Sequence, residues 1–83
     1  MDHPGIKNIC DELLSFIKAN ILDSAAIIEP DTPFSEAGLD SMSIIEIVLF
    51  IERKYGVSIT ERDLTVENLK SARSLAECTF KHL

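Results

Sequence analysis

The chain has 83 residues, 46% of them hydrophobic, which suits one domain with one modest core. Its net charge of −6 argues against binding to nucleic acid, because such binding needs a basic surface. No apolar stretch is long enough to span a bilayer, and the first residues do not resemble a signal peptide. We therefore expect a cytoplasmic protein with no membrane partner.

The first predicted helix covers residues 6–21. Apolar residues recur along it at helical spacing, with charged residues between them. These apolar residues are Ile6, Ile9, Leu13, Phe16 and Ile17.

A long connection, residues 23–39, follows this helix. Pro30 and Pro33 disfavour a regular helix within it. A loop of this length in a small domain is usually functional or well packed. We expect it to be attached to the core by its apolar residues, which are Ile27, Ile28, Phe34 and Leu39.

The second helix is predicted over residues 41–55, with Gly56 as its terminator. Either Asp40 or Ser41 suits the N-cap position, and the segment from Ser43 to Glu46 also matches a capping box. In each case Ser41 lies at the positive end of the helix. A hydroxyl group at this end can carry a phosphate ester, whose charge the helix dipole and the free N–H groups favour.

This second helix is apolar on two sides. We assign one stripe to the core; it consists of Ile44, Ile47, Val48, Ile51 and Tyr55. The other side is predicted to be an exposed docking surface for another protein, with an apolar centre and a charged edge. Its apolar residues are Met42, Ile45 and Leu49, and its edge residues are Glu46, Glu52 and Arg53. The alternative is that the loop or another helix covers this side.

Two shorter helices complete the prediction, a single turn at 66–69 and a last helix at 72–81. Ser71 is the predicted cap of the last helix. Its apolar side is predicted to include Leu75, Ala76, Thr79 and Phe80.

Acidic residues are concentrated around Ser41. The segment 29–52 contains six acidic residues and no lysine or arginine, whereas the chain from Arg53 onward contains six basic and four acidic residues. An acidic surface at a reactive point predicts partners with basic docking patches. An ordinary solvated acidic face is the alternative interpretation.

Several kinds of chemistry lack the residues they need. A serine hydrolase needs a general base, but the only histidines, His3 and His82, are expected to lie at frayed chain ends. Segment 31–36 lacks the ligands and the glycine of a calcium loop. Cys10 and Cys78 lack metal-type spacing, and we expect buried free thiols. No catalytic residue and no metal site is predicted.

The segment from Phe34 to Met42, FSEAGLDSM, followed by an apolar helix, resembles the attachment site of acyl and peptidyl carrier proteins. The resemblance covers nearly the whole chain. It implies one free-standing carrier domain over residues 1–83, an all-α four-helix bundle with a long first loop and a short third helix, and a monomer. The carrier itself would not be an enzyme.

The resemblance also implies a cofactor. A phosphopantetheinyl transferase, with magnesium, would move phosphopantetheine from coenzyme A onto Ser41, and the arm would hold its cargo as a thioester. Asp40 would help the transferase to bind. Met42 would take the place of the leucine that partners contact, and Ile45, Glu46 and Leu49 would match other partner-facing positions.

Other partners implied are an acyl or aminoacyl loading enzyme (a ligase or an acyltransferase) and a synthase, ketosynthase or other processing enzyme. Two features depart from the densely acidic second helix of many fatty-acid carriers. Ser43 and Ile44 follow Met42, and the helix ends with Arg53 and Lys54. This favours a specialised pathway of polyketide or nonribosomal peptide type. The alternative function is an unmodified adaptor that binds a partner through the face from Met42 to Leu49.

Overall fold

The computed structural model describes residues 5–22 and 27–83. Within these ranges the regular elements are α1 (Ile6–Asn20), α2 (Ser41–Tyr55), a 3₁₀ helix (Glu61–Asp63) and α3 (Ala72–Phe80). No β-strand occurs in the described ranges, and the predicted all-α fold is confirmed. His3 and residues 23–26, the start of the predicted connection, lie outside the described residues.

Helix α1 lies mainly against α3 and to a smaller extent against α2. Its buried stripe contains Ile9, Leu13 and Ile17, all with no exposed surface, as the helical spacing predicts. On the solvent side the Lys7 Nζ lies 3.0 Å from the Asp11 carboxylate. Burial of the apolar stripe, rather than this exposed ion pair, therefore stabilises the position of α1.

The connection before α2 is attached to the start of α3 by two backbone hydrogen bonds. The Phe34 N–H donates to the Lys70 carbonyl at 2.7 Å, and the Arg73 N–H donates to the Pro30 carbonyl at 2.9 Å. The Phe34 side chain is almost completely buried. The loop is thus packed on the core although it has no regular helix over 27–39.

Three of the four apolar loop residues are buried as expected, namely Ile28, Phe34 and Leu39. The expectation for Ile27 was wrong, because 87% of this residue is exposed. The backbone at 27–28 is not helical, and of the two neighbours Ile28 alone packs into the hydrophobic core.

Helix α2 ends as the sequence predicts. Gly56 has a φ of +66°, in the left-handed region, and its N–H donates to the Glu52 carbonyl. Ile47 and Ile51 are fully buried within the predicted core stripe, and Ile44 is half-buried.

A further contact between α1 and α2 was not predicted. The rings of Phe16 and Phe50 are stacked, with centroids 4.2 Å apart and planes inclined by 17°. Both residues are half-buried, so the pair closes the α1–α2 contact at its edge.

The predicted short helix at 66–69 is not a regular helix. This segment is a hydrogen-bonded turn, in which the Leu69 N–H donates to the Thr65 carbonyl at 3.0 Å. The regular 3₁₀ turn occurs earlier, at Glu61–Asp63. The described residues therefore form three α-helices, and a fourth is not present among them.

Side-chain hydrogen bonds accompany both turns. Thr60 and Asp63 form a reciprocal capping box that starts a turn at Glu61. Asn68 then uses its side chain to donate to the Asp63 carbonyl at 2.9 Å, and its N–H donates to the Thr65 hydroxyl at 3.1 Å. The Thr65 hydroxyl thus caps the single turn at 66–69, and the Asn68 side chain connects this turn to the 3₁₀ helix.

Helix α3 begins after Ser71, whose hydroxyl accepts a hydrogen bond from the Ser74 N–H at 3.3 Å, as predicted for the cap. Leu75, Ala76 and Thr79 are fully buried, whereas Phe80 is 42% exposed. None of the helices in the described ranges is both long and apolar enough to cross a membrane.

Candidate functional site

The turn before α2 determines where that helix begins. The Leu39 N–H donates to the carbonyl of buried Phe34 at 3.1 Å, and Leu39 itself is buried. Between them Gly38 has a φ of +83°, which favours glycine. Because the turn is attached to the core at both of its apolar residues, the next residue, Asp40, has a defined position at the surface.

Asp40 is the N-cap of α2. Its backbone is extended, and its Oδ1 accepts a hydrogen bond from the Ser43 N–H at 2.9 Å. The Ile44 N–H donates to the Asp40 carbonyl, which begins the helical ladder. Of the alternatives at this helix start, Asp40 is therefore the cap, and Ser41 is the first helical residue.

The same bond lowers the pKa of Asp40 below its ordinary value of 3.8. The largest cause of the lowered pKa is the hydrogen bond from the Ser43 backbone N–H, and a hydrogen bond from the Ser43 side chain lowers the pKa further. The carboxylate is exposed, so it remains charged at neutral pH on the surface beside Ser41.

Ser41 is exposed in the first turn of a 15-residue helix. The first N–H groups of a helix have no partner within the helix and favour a nearby anion. An exposed hydroxyl in this place fits a phosphate ester. Its position is also open to a second protein, since no residue of the described chain covers it.

The predicted docking side of α2 is solvent-exposed. Met42 is 68% exposed, Ile45 is 52% exposed and Leu49 is 50% exposed. Neither the described part of the loop nor another described helix covers them, so the alternative of a covered face is wrong. We call these three residues the apolar face. Their spacing of three and four residues puts them side by side.

The charged edge of this face is less uniform than the sequence suggests. Glu46 and Arg53 are exposed, as expected. Glu52 is half-buried, and its Oε2 accepts a hydrogen bond from the Ile59 N–H at 2.9 Å. This carboxylate therefore binds the chain after α2, a contact that helical spacing alone cannot reveal.

An apolar cleft of about 750 Å³ lies between the turn before α2, the first part of α2 and the 64–70 segment. Its apolar lining includes Phe34, Leu39, Ile44, Leu64, Val66 and Leu69. Ile44 is one helical turn after Ser41, so the cleft opens on the side of the helix start. This cleft is not evident from the spacing of residues along the sequence.

The structure also corrects the interpretation of the histidine at the end of the chain. His82 is not frayed, because its Nε2 lies 3.0 Å from the Asp63 Oδ2. Cys10 and Cys78 are buried free thiols, as predicted. Cys78 lies beside Asp63 and His82, however, and this cluster of metal-binding side chains was not predicted from the sequence.

The chain matches the protein family described as phosphopantetheine attachment site, over residues 9–79. It belongs to that family. The chain is therefore a carrier protein, and phosphopantetheine is its covalent cofactor. A carrier does not itself catalyse a reaction, and it works with phosphopantetheinyl transferases and biosynthetic enzymes. The predicted acyl and peptidyl carrier family is confirmed.

A curated relative of this carrier is Aminoacyl carrier protein 2 from Bradyrhizobium diazoefficiens. The two sequences are 23% identical over 83 residues, which cover 98% of this chain and 93% of the relative. The similarity thus extends over the whole carrier domain and is not limited to the segment around Ser41.

Proposed function

We propose that Ser41 is the residue that receives phosphopantetheine. The observation that carries this proposal is the exposed hydroxyl of Ser41 at the first position of α2, directly after the Asp40 N-cap. The helix N-terminus favours the negative charge of the phosphate ester. The neighbouring Ser43 is half-buried and uses its N–H in the cap, so it is a poorer acceptor.

In this proposal Asp40 has two roles. It caps the helix that presents Ser41, and its exposed carboxylate contacts the transferase. A negative charge here suits a basic docking patch on the transferase, since the pKa of Asp40 lies below its ordinary value. Removing the side chain should therefore affect both the helix start and transferase binding.

The apolar face receives the partner enzymes. Three apolar side chains that are each at least half exposed are costly in water and are stabilised by a partner surface. Glu46 and Arg53 form the charged edge and orient the partner. Glu52 contributes less, because its carboxylate is occupied by the Ile59 N–H. Such a small face suits weak binding to several enzymes in turn.

We further propose that the cargo is an acyl or aminoacyl group in a specialised pathway, of polyketide or nonribosomal peptide type. The name of the relative, an aminoacyl carrier protein, supports an aminoacyl cargo. The exposed face is apolar in its centre and has a basic residue at its end, which suits a dedicated ligase or acyltransferase better than housekeeping fatty-acid enzymes. A tethered cargo reaches these enzymes at high effective concentration.

The proposal for Ser41 is tested by intact mass after incubation with coenzyme A, magnesium and a broad-specificity phosphopantetheinyl transferase. Wild type and the control Ser43→Ala should each gain one phosphopantetheine group, and Ser41→Ala should gain none. Modification of folded Ser41→Ala would overturn the proposal. So would unmodified wild type after treatment with several transferases, and the adaptor function would then be preferred.

The cargo is tested on the modified protein with a panel of aminoacyl- and acyl-adenylating ligases. A mass gain that hydroxylamine removes indicates a thioester on the arm. Amino acids loaded faster than fatty acids would support the aminoacyl proposal. Efficient loading and extension by fatty-acid synthesis enzymes would contradict the specialised pathway.

A further inference from the structure

A carboxylate, a thiol and an imidazole converge at the contact between the 3₁₀ helix and the end of α3. Asp63 is the last residue of the 3₁₀ helix, Cys78 lies in the last turn of α3, and His82 follows α3. One ligand atom from each side chain lies within 4.8 Å of the other two. We propose that these three residues form a zinc site that is separate from the site at Ser41.

The donor set is one that Zn²⁺ prefers. A thiolate sulfur and an imidazole nitrogen favour zinc over magnesium or calcium, which take oxygen ligands. With a thiolate at Cys78, a carboxylate at Asp63 and a neutral His82, the two negative charges balance the ion. Three protein ligands leave one tetrahedral position for water.

The distances require only a local adjustment. Ligand atoms around tetrahedral zinc are about 3.5 Å apart, given metal–ligand bonds of about 2.0–2.3 Å. The Nε2 of His82 and the Oδ2 of Asp63 are already 3.0 Å apart. The His82 side chain is partly exposed and is therefore the group that would move to open space for the ion between them.

Asp63 is held in position by its neighbour. Its Oδ2 accepts hydrogen bonds from the Thr60 N–H at 3.1 Å and from the Thr60 hydroxyl at 3.0 Å. Such bonds orient a ligating carboxylate before the metal arrives. Cys78 is buried, whereas the His82 and Asp63 side chains are 31% and 22% exposed, so the ion enters from the His82 side.

Zinc at this place would connect α3 to the segment that forms one wall of the cleft. The Asp63 carbonyl accepts a hydrogen bond from the Asn68 side chain, and Leu64, the next residue, lines the cleft. The ion would therefore restrict the movement of the 64–70 segment relative to α3. Binding to the folded chain alone would also raise its melting temperature.

The site is tested with Co²⁺ as a spectroscopic probe, on tag-free, chelator-treated Ser41→Ala protein, in which no phosphopantetheine thiol can act as a ligand. A non-thiol reductant keeps the cysteines reduced. We expect one equivalent of Co²⁺ to give a thiolate charge-transfer band and tetrahedral d–d bands, and Zn²⁺ to abolish both. Absence of the charge-transfer band on folded protein would overturn the proposal.

The sequence offers matched controls, because it contains two cysteines and two histidines. Cys78→Ser should remove the charge-transfer band, and Cys10→Ser should retain it. Zn²⁺ affinity is measured by competition with a chromophoric chelator. Loss of a residue that only supports a ligand lowers metal affinity roughly 10–100-fold, and His82→Gln should lower it by more than this, because His82 is itself a ligand. His3→Gln should leave it unchanged. Loss of the band in Cys10→Ser but not in Cys78→Ser would contradict the assignment, as would unchanged affinity in folded His82→Gln.

Discussion

The Asp40 carboxylate accepts a hydrogen bond from the Ser43 N–H at 2.9 Å, and this bond places Ser41 in the first turn of α2. Because it lowers the pKa of Asp40 from 3.8, the stabilisation is complete above that value. It is lost as the pH falls through the lower pKa of the folded state. Unfolding free energy measured by urea denaturation from about pH 7 to about pH 3 should show this loss begin in wild type as the pH falls below 3.8.

Asp40→Asn serves as the control for this prediction, since asparagine also caps helices but does not titrate. The stabilisation that the asparagine cap gives to the helix should therefore stay the same as the pH falls. Asp40→Ala should be less stable than both proteins at neutral pH. Identical acid dependence in wild type and Asp40→Asn would show that other carboxylates determine it.

Phe34 should be essential for the turn before α2. Phe34→Ala removes a fully buried ring and should lower the free energy of unfolding by about 3–5 kcal/mol. Phe34→Leu should cost less, because it retains most of the apolar volume. Urea denaturation followed by circular dichroism provides the measurement. A loss below about 1 kcal/mol in Phe34→Ala would contradict the burial of this ring.

Gly56 should stabilise the end of α2 through its backbone conformation and not through lack of space for a side chain. A Cβ added at this residue meets no atom within 4 Å, but φ is +66°. Gly56→Ala should therefore cost about 1–2 kcal/mol of stability, measured by denaturation. Gly56→Asn should cost less, since asparagine tolerates the left-handed region better. Equal costs for the two variants would argue against this cause.

The apolar face should be important for partner binding but not for folding. Leu49→Gln should raise the KM of the phosphopantetheinyl transferase about tenfold, the change that corresponds to losing about 1.4 kcal/mol of binding at one contact residue. Its melting temperature should stay close to that of wild type, because Leu49 is half exposed. Ile27→Gln, an equal change at an exposed residue outside the face, should alter neither quantity. A similar KM for both variants would place the docking surface elsewhere.

Charge at the edge of the face should control the rate of encounter. The transferase kcat/KM should decrease as salt increases, because screening weakens long-range attraction. Glu46→Gln should reduce this salt dependence more than Glu77→Gln, which removes the same charge from α3. Measurements over a series of salt concentrations make the comparison, and equal slopes would remove Glu46 from the docking surface.

The start of α2 and its exposed face could be predicted from the sequence because they depend on local rules. An N-cap needs one short acceptor at the correct offset, and Asp40 provides it. Exposure of Met42, Ile45 and Leu49 follows from helical period and from the small size of the chain. At residues 66–69 the structure has a single turn instead of the predicted short helix, and the Asn68 side chain donates to the Asp63 carbonyl, a contact that helical spacing does not predict.

The sequence by itself determined the helical class, the position of Ser41 at a helix start and the acidic character of its surroundings, since these depend on neighbouring residues. Only the tertiary structure decided which residues distant in sequence meet. It brought Phe34 to Lys70, Phe16 to Phe50, and Asp63 to Cys78 and His82. Such contacts depend on how the helices pack together, and the spacing of residues along one helix carries no information about its partner.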